Sequence, residues 1–353
     1  MRRVSALLLL GCLQTALGWA HVPAGELRKA VSDDDVMVAF VAPDEPASAA
    51  FEPEWLSAAA EGKEHLVSID CGVNQGPDCD REGIESLPFI LLFRSGSVVA
   101  QYKGPRRAAA LLHFAARRKR PVVSESLGSE ELIAFKTTDE TVFVAYLDPE
   151  DRTSAEVVTD AAIRYRDEFS FATVTDSSLA EAQGINVPSV VCYKQIDGDT
   201  RRFSSFNQPH EFDDWVKEAS RPILGELTAL NQQRLLDRGW PMVYLFAPTE
   251  SERQQLRKTV YKFAKSYYDS LTSVLVDPFQ FPELMNQLGL ATNQFPAGAV
   301  HQLSKDRIYQ YPKDKPFSPG ALQQWGLDVY QGLVKAWTPP GFTAPESTEH
   351  DEL

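Results

Sequence analysis

After its first twenty residues, this 353-residue chain has no stretch approaching the roughly 20 consecutive apolar residues a helix needs to cross a bilayer. Insertion into a membrane is therefore not expected. Positive charge is in short supply: 35 Lys and Arg face 49 Asp and Glu, for a formal net charge of −14. Phosphate backbones are held by clustered Lys and Arg, so this balance argues against a nucleic-acid partner. There is no Asn-x-Ser/Thr acceptor, no Gly-rich phosphate loop, no metal-ligand spacing and no Ser/His/Asp order, and the six histidines are scattered. No metal and no cofactor are expected. Cysteine is also scarce, with four in the chain.

The two ends are more informative. MRRVSALLLLGCLQTALGWA pairs Arg2 and Arg3 with an apolar run from Ala6 to Leu10 and closes on the small residues Gly18 and Ala20. This reads as a secretory signal spanning 1–20, cleaved before His21. The last four residues, His350, Asp351, Glu352 and Leu353, form a retrieval tetrapeptide for the endoplasmic reticulum, implying a retrieval receptor as partner and a lumenal address. Losing the signal removes two positive charges and moves the net charge to about −16.

In an oxidising lumen, Cys71 and Cys79, close together in DCGVNQGPDC, are expected to form a structural disulfide, while Cys12 leaves with the signal. Cys192 lies in the apolar run VPSVVCY and is expected to be an inert core residue. The basic run Arg117-Arg118-Lys119-Arg120 ends a predicted helix just before Pro121, and is read as an interdomain boundary.

An internal repeat organises the rest. Three times an apolar strand ends in Asp (LVSID 66–70, FATVTD 171–176, SVLVD 273–277). A short polar helical segment then runs to Gly83, Gly184 or Gly289, and a proline leads into a second apolar strand. Those prolines, Pro88, Pro188 and Pro296, are 100 and 108 residues apart, the size of a small domain. A proline in the same place each time is best explained by a cis X-Pro turn into the strand. Each copy opens with a strand (Val36–Val41, Thr141–Leu147, Met242–Phe246) followed by a helix (Glu54–Ala60, Ala155–Phe169, Glu250–Tyr268). Each closes with a hairpin and an amphipathic helix (Arg107–Arg118, Pro209–Ala219, Pro319–Val334). The expected class is α/β: three tandem units, each a mixed sheet with helices on both faces.

This order resembles the thioredoxin fold, and three such units resemble the protein disulfide isomerase family. In the first unit VMVAFVAPDEPASAAFEPEWLSAAA, VSIDC, LPFILLFRSG and YKGPR are similar, in order, to the family's active-site, Val-Asp-Cys, cis-proline and Tyr-x-Gly-x-Arg segments. On that resemblance Asp44 takes the tryptophan position, Glu45 the nucleophilic cysteine, Pro46 the glycine, Ala47 the histidine and Ser48 the resolving cysteine. Ala39 replaces the family's buried acid, and Arg106 matches its arginine after the last strand. A carboxylate cannot form a mixed disulfide, so the chain is expected to be a redox-inactive member and not an enzyme. Asp44, Glu45 and Ser48 are read as helix-start residues that serve the orphan N–H groups of a first turn.

The expected layout is a signal (1–20), a degenerate catalytic-type unit (21–120), two non-catalytic units (121–222 and 223–340) and a tail (341–353). The resemblance implies a chaperone or adapter that binds unfolded polypeptide through its third unit, with a catalytically active oxidoreductase as a second partner. In DPFQFPELMNQLGL the candidate client-binding residues are Phe279, Phe281, Leu284, Met285 and Leu288, adaptable apolar anchors. Two alternatives stand beside it: an acidic calcium-binding protein resembling calsequestrin, and residual isomerase activity through Cys71, Cys79 or Cys192.

Overall fold

The structure is a computed structural model. It describes residues 19–339 apart from 24, 33, 73–76, 82, 83, 85 and 207. Nearly all of the expected signal, Gly83 and the retrieval residues His350–Leu353 thus lie outside the described residues.

The elements form three sheets. The first section holds α1 (Leu27–Ala30), β1 (Asp35–Val41), α2 (Pro46–Ala60), β2 (His65–Asp70), α3 (Pro77–Arg81), β3 (Phe89–Arg94), β4 (Ser97–Gln101) and α4 (Ala108–Lys119), with sheet order β2-β1-β3-β4. The second holds β5 (Val123–Ser124), α5 (Ser129–Phe135), β6 (Thr141–Tyr146), α6 (Arg152–Arg164), β7 (Ser170–Val174), α7 (Ser177–Ala182), β8 (Ser189–Lys194), β9 (Asp199–Phe203) and α8 (Pro209–Ala219), ordered β5-β7-β6-β8-β9. The third holds β10 (Gly225–Glu226), α9 (Gln232–Asp237), β11 (Met242–Phe246), α10 (Glu250–Ser266), β12 (Thr272–Val276), α11 (Pro282–Gln287), β13 (Ala297–Gln302), β14 (Arg307–Gln310) and α12 (Pro319–Tyr330), ordered β10-β12-β11-β13-β14.

In each sheet the central strand pairs in parallel with the strand that follows its helix and antiparallel with the strand after the repeated proline. These are three thioredoxin-like α/β domains, each with its sheet between helices. Strands β6 and β11 are buried at every residue, which explains their near-continuous apolar sequence. Among the described residues each sheet has an apolar cluster on each face.

Two local differences from the sequence reading have physical causes. Helix α2 starts at Pro46, not after Pro53, because Pro46 occupies a first-turn position where its missing N–H costs nothing. The helix then continues through Pro53, since Phe51 and Trp55, both 2% exposed, anchor the turns on either side of it in the first core. The second difference is at the start of the chain. Trp19, expected to leave with the signal, is 9% exposed and packs edge-on against Phe51 at 6.3 Å. Beside it the Ser68 hydroxyl donates to the Ala20 carbonyl (3.1 Å) and Val22 N–H donates to Ser68 O (2.8 Å), laying this segment along β2. Among the described residues no helix is long and apolar enough to cross a membrane.

Candidate functional site

The turn from β1 into α2 presents Asp44, Glu45 and Pro46 to solvent and buries Ser48 completely. Glu45 is the residue before the first helical turn, in extended conformation, and makes no side-chain capping bond among the described residues. Ser48 Oγ accepts from Ala42 N–H at 3.0 Å. It therefore ties the helix start back to the end of β1 instead of serving a first-turn N–H. Ala39 is wholly buried, so the strand beneath this turn carries no acid there.

The disulfide lies at the same end of the sheet. Cys71 and Cys79 are bridged with their Cα atoms 6.0 Å apart, and both side chains sit half-buried against the cluster of Leu27, Val38 and Phe40. Cys71 N–H donates to Val41 O (2.7 Å), one residue from the Ala42 amide that Ser48 accepts. The fold thus places a sulfur–sulfur bond beside the turn that lacks thiols. Cys192 is a different case, being 0% exposed with its thiol directed to Ala219 O at 3.5 Å, and burial pushes its pKa up to about 12. Ellman's reagent is expected to reach Cys192 only after unfolding; rapid reaction of the native chain at pH 8 would contradict this placement.

The peptide bonds before Pro88, Pro188 and Pro296 are cis. Arg106 Nη2 donates to Pro88 O at 3.3 Å, so the arginine that follows the last strand lies beside the first of these turns.

The third sheet separates the apolar candidates into two groups. Met285 and Leu288 are each 1% exposed and belong to the core, so they offer no surface to a partner. They face inward because α11 and the residue that ends it must cover β11 and β12, and these two apolar residues, three apart, lie on the same helical face. Phe279, Phe281 and Leu284 are half-buried and keep an accessible face. The turn that carries them is shaped by Asp277, whose Oδ1 accepts from Phe279 N–H at 2.9 Å. Behind it the chain returns after α12. Trp337 N–H donates to Ile308 O (2.7 Å), and a Cβ on Gly289 would overlap the Trp337 indole, so glycine is required there both for its φ of +66° and for this contact.

A polar junction that the sequence analysis did not single out lies where the three sheets' domains meet, around a cavity of about 160 Å³. Arg107 donates to Glu226 (3.1 Å) from its Nε and to Glu140 (2.5 Å) from an Nη, while Arg257 donates to the same Glu226 at 2.8 Å. Burial disfavours charge on Arg107, but the Glu226 and Glu140 carboxylates outweigh it and hold its pKa above the ordinary range. Burial likewise opposes charge on Glu140, and Arg107 more than offsets it, lowering the carboxyl. Nearby, Arg234 pairs with Glu168 through two bonds of 2.8 and 2.9 Å. The only signal in the sequence was the doubled arginine after YKGP, since these residues are far apart along the chain.

A thioredoxin-like domain family model matches residues 147–326, and a thioredoxin model matches 20–117. The chain belongs to the thioredoxin-like family. It is similar to several protein disulfide-isomerases: it is 30% identical over 307 residues to protein disulfide-isomerase of Humicola insolens, covering 86% of this chain and 60% of that one. With the Aspergillus oryzae enzyme of the same name it is 31% identical over 305 residues, covering 86% and 59%. The chain thus spans about 60% of the length of these curated relatives. Among solved structures, human ERp44 aligns over 94% of this chain and 92% of its own at 19% identity and a TM-score of 0.40. The bb fragment of ERp72 aligns over 61% and 100% at 17% identity and 0.47.

One expectation is overturned here. The replacements at Glu45 and Ser48 implied a chain that is not an enzyme, yet the relatives are named protein disulfide-isomerases and a Cys71–Cys79 bridge is present. The bridge joins the residue after β2 to α3, at the same end of the sheet as the turn that lacks thiols. The expectation gave the thiol-less helix start more weight than the Cys71–Cys79 pair, which was read as structural, with residual isomerase activity only as an alternative.

Proposed function

We propose that this chain is a folding factor of the endoplasmic reticulum lumen that holds unfolded polypeptide on its third domain, with thiol–disulfide exchange confined to Cys71 and Cys79. The client surface is the β12–α11 turn, and the observation that carries it is that Phe279, Phe281 and Leu284 are only partly buried while their neighbours Met285 and Leu288 are core. Varied apolar segments are held by such adaptable aromatic and aliphatic side chains without a fixed sequence. The working units are 21–120, 121–222 and 223–340, and the partners are unfolded polypeptides, an active oxidoreductase recruited to them, and a retrieval receptor that reads His350–Leu353.

In exchange, a client thiolate attacks one sulfur of the bridge, the S–S bond breaks, and a mixed disulfide forms. A second client thiol then displaces it, leaving the client oxidised and the pair reduced. The test uses the full chain. Phe281→Ala should weaken binding of a fluorescent unfolded apolar peptide severalfold without changing the thermal midpoint, and unchanged affinity would remove this location. In parallel, insulin reduction by the parent chain should disappear in a Cys71→Ser, Cys79→Ser variant. Equal rates in both would place the chemistry elsewhere.

The buried Trp19 also bears on processing. Two small-residue pairs precede possible cleavage points, Ala16 with Gly18 and Gly18 with Ala20. Cleavage after Ala20 would remove an aromatic from the first core, at a cost of about 3–5 kcal/mol by analogy with Trp→Ala. Cleavage after Gly18 keeps it. The intact mass of the lumenal protein should therefore correspond to a chain beginning at Trp19, and a chain beginning at His21 would refute this.

A further inference from the structure

The segment Tyr102–Arg107 of the first domain lies against the turn that carries the client surface of the third. Gln280, between Phe279 and Phe281, donates from Nε2 to Gly104 O at 3.3 Å. Arg106 reaches across to Asp277, the residue that shapes the turn, with Nη1 to Oδ2 at 3.7 Å and both side chains about nine-tenths buried. Arg253 of the third domain stands 4.0 Å from the same Oδ2. Next along the chain, Arg107 joins the first domain to Glu140 of the second and Glu226 of the third.

The segment is built to hold this shape. Tyr102 OH donates to Pro105 O at 2.5 Å, and a Cβ on Gly104 would lie 2.8 Å from that hydroxyl, so only glycine fits beneath the ring. The contact is also poised to open. Arg106 Nη1 has no hydrogen-bond partner among the described residues, and its separation from Asp277 is that of an ion pair without a hydrogen bond. A buried pair of this quality recovers little of its desolvation cost. Arg107, with its short bonds, supplies most of the hold.

We propose that Arg106 and Arg107 form an electrostatic latch that keeps the first domain over the Phe279–Phe281 turn, so that client binding requires the domains to part. The latch rests on the reading of that turn as the client surface. A protein whose competent state is a fraction of the population binds with its affinity reduced by that fraction, so weakening the latch tightens binding without adding a contact.

The experiment uses the full chain, a fluorescent unfolded apolar peptide and small-angle scattering. Arg106→Gln with Arg107→Gln should raise peptide affinity at least threefold and increase the radius of gyration, and Phe281→Ala in that background should abolish the gain. Should the double variant fail to fold, Glu140→Gln serves as the second variant. It removes one carboxylate from Arg107 on a domain away from the turn, and should shift affinity in the same direction. Expansion with unchanged affinity, while Phe281→Ala still weakens the parent, overturns the latch and leaves the client surface standing. Phe281→Ala without effect in any background overturns both.

Discussion

Arg117→Ala should destabilise the chain by about 3–5 kcal/mol, because it leaves a buried carboxylate without its partner. Arg117 lies on α4 of the first domain and is 4% exposed, and its guanidinium enters the second domain. There Nη1 pairs with Asp139, Nη2 donates to Asp167 O at 2.8 Å and Nε donates to Arg166 O at 3.1 Å. Asp139, 3% exposed, also accepts from the Ser170 hydroxyl at 2.8 Å. Removing the arginine takes the guanidinium from this carboxylate and from two backbone carbonyls together. Urea unfolding followed by fluorescence should move to lower denaturant and lose cooperativity between the first two domains. Arg117→Leu combined with Asp139→Leu should recover much of the loss, since apolar residues of similar volume often replace a buried pair at little cost. A single Arg117→Ala variant with an unshifted midpoint would show that the pair does not couple these domains.

Glu45→Cys with Ser48→Cys is expected to give the largest gain in activity. Both positions lie at the start of the 15-residue helix α2, where backbone N–H groups and the helix dipole stabilise a thiolate. Thiols at helix N-termini fall to a pKa of about 3.5–7.5, against roughly 8.5 for a free cysteine. The scaffold is present: Glu45 is exposed and Ser48 is buried three residues on, an arrangement in which one thiol attacks and the second resolves. Insulin reduction by the double variant should exceed that of the parent chain by about tenfold or more. A folded double variant no faster than its parent would mean that the turn has lost more than its sulfurs, and the apolar Ala39 beneath it would be the first suspect.

Much of this molecule was legible in its sequence for a local reason. The three Asp-ended strands, the prolines at intervals of 100 and 108 residues and the apolar runs around Val38, Val144 and Tyr244 are each set by neighbours in the chain. A strand buried on both faces is mostly apolar, as β6, β11 and β12 are, and a chain turning into the next strand through proline must carry that proline in place. Cys71 and Cys79 are separated by 8 residues, near enough for their pairing to be anticipated. Pro53 misled the reading because its compensation, the packing of Phe51 and Trp55, is tertiary.

What only the tertiary structure decided is which side of each element faces in, and what distant residues meet. Met285 and Phe281 are four apart and equally apolar, yet one is core and the other half-open, according to where α11 sits on its sheet. Arg107, Glu140 and Glu226 are 33 and 119 residues from contact along the chain and converge only when three domains dock. The basic run 117–120, read as a boundary, proves to be the first domain's hold on the second through Asp139, Asp167 and Ser170. Periodicity and turn chemistry act over a few residues and therefore leave a trace in the sequence. Burial and charge pairing depend on the partner that arrives from elsewhere, and no single segment records it.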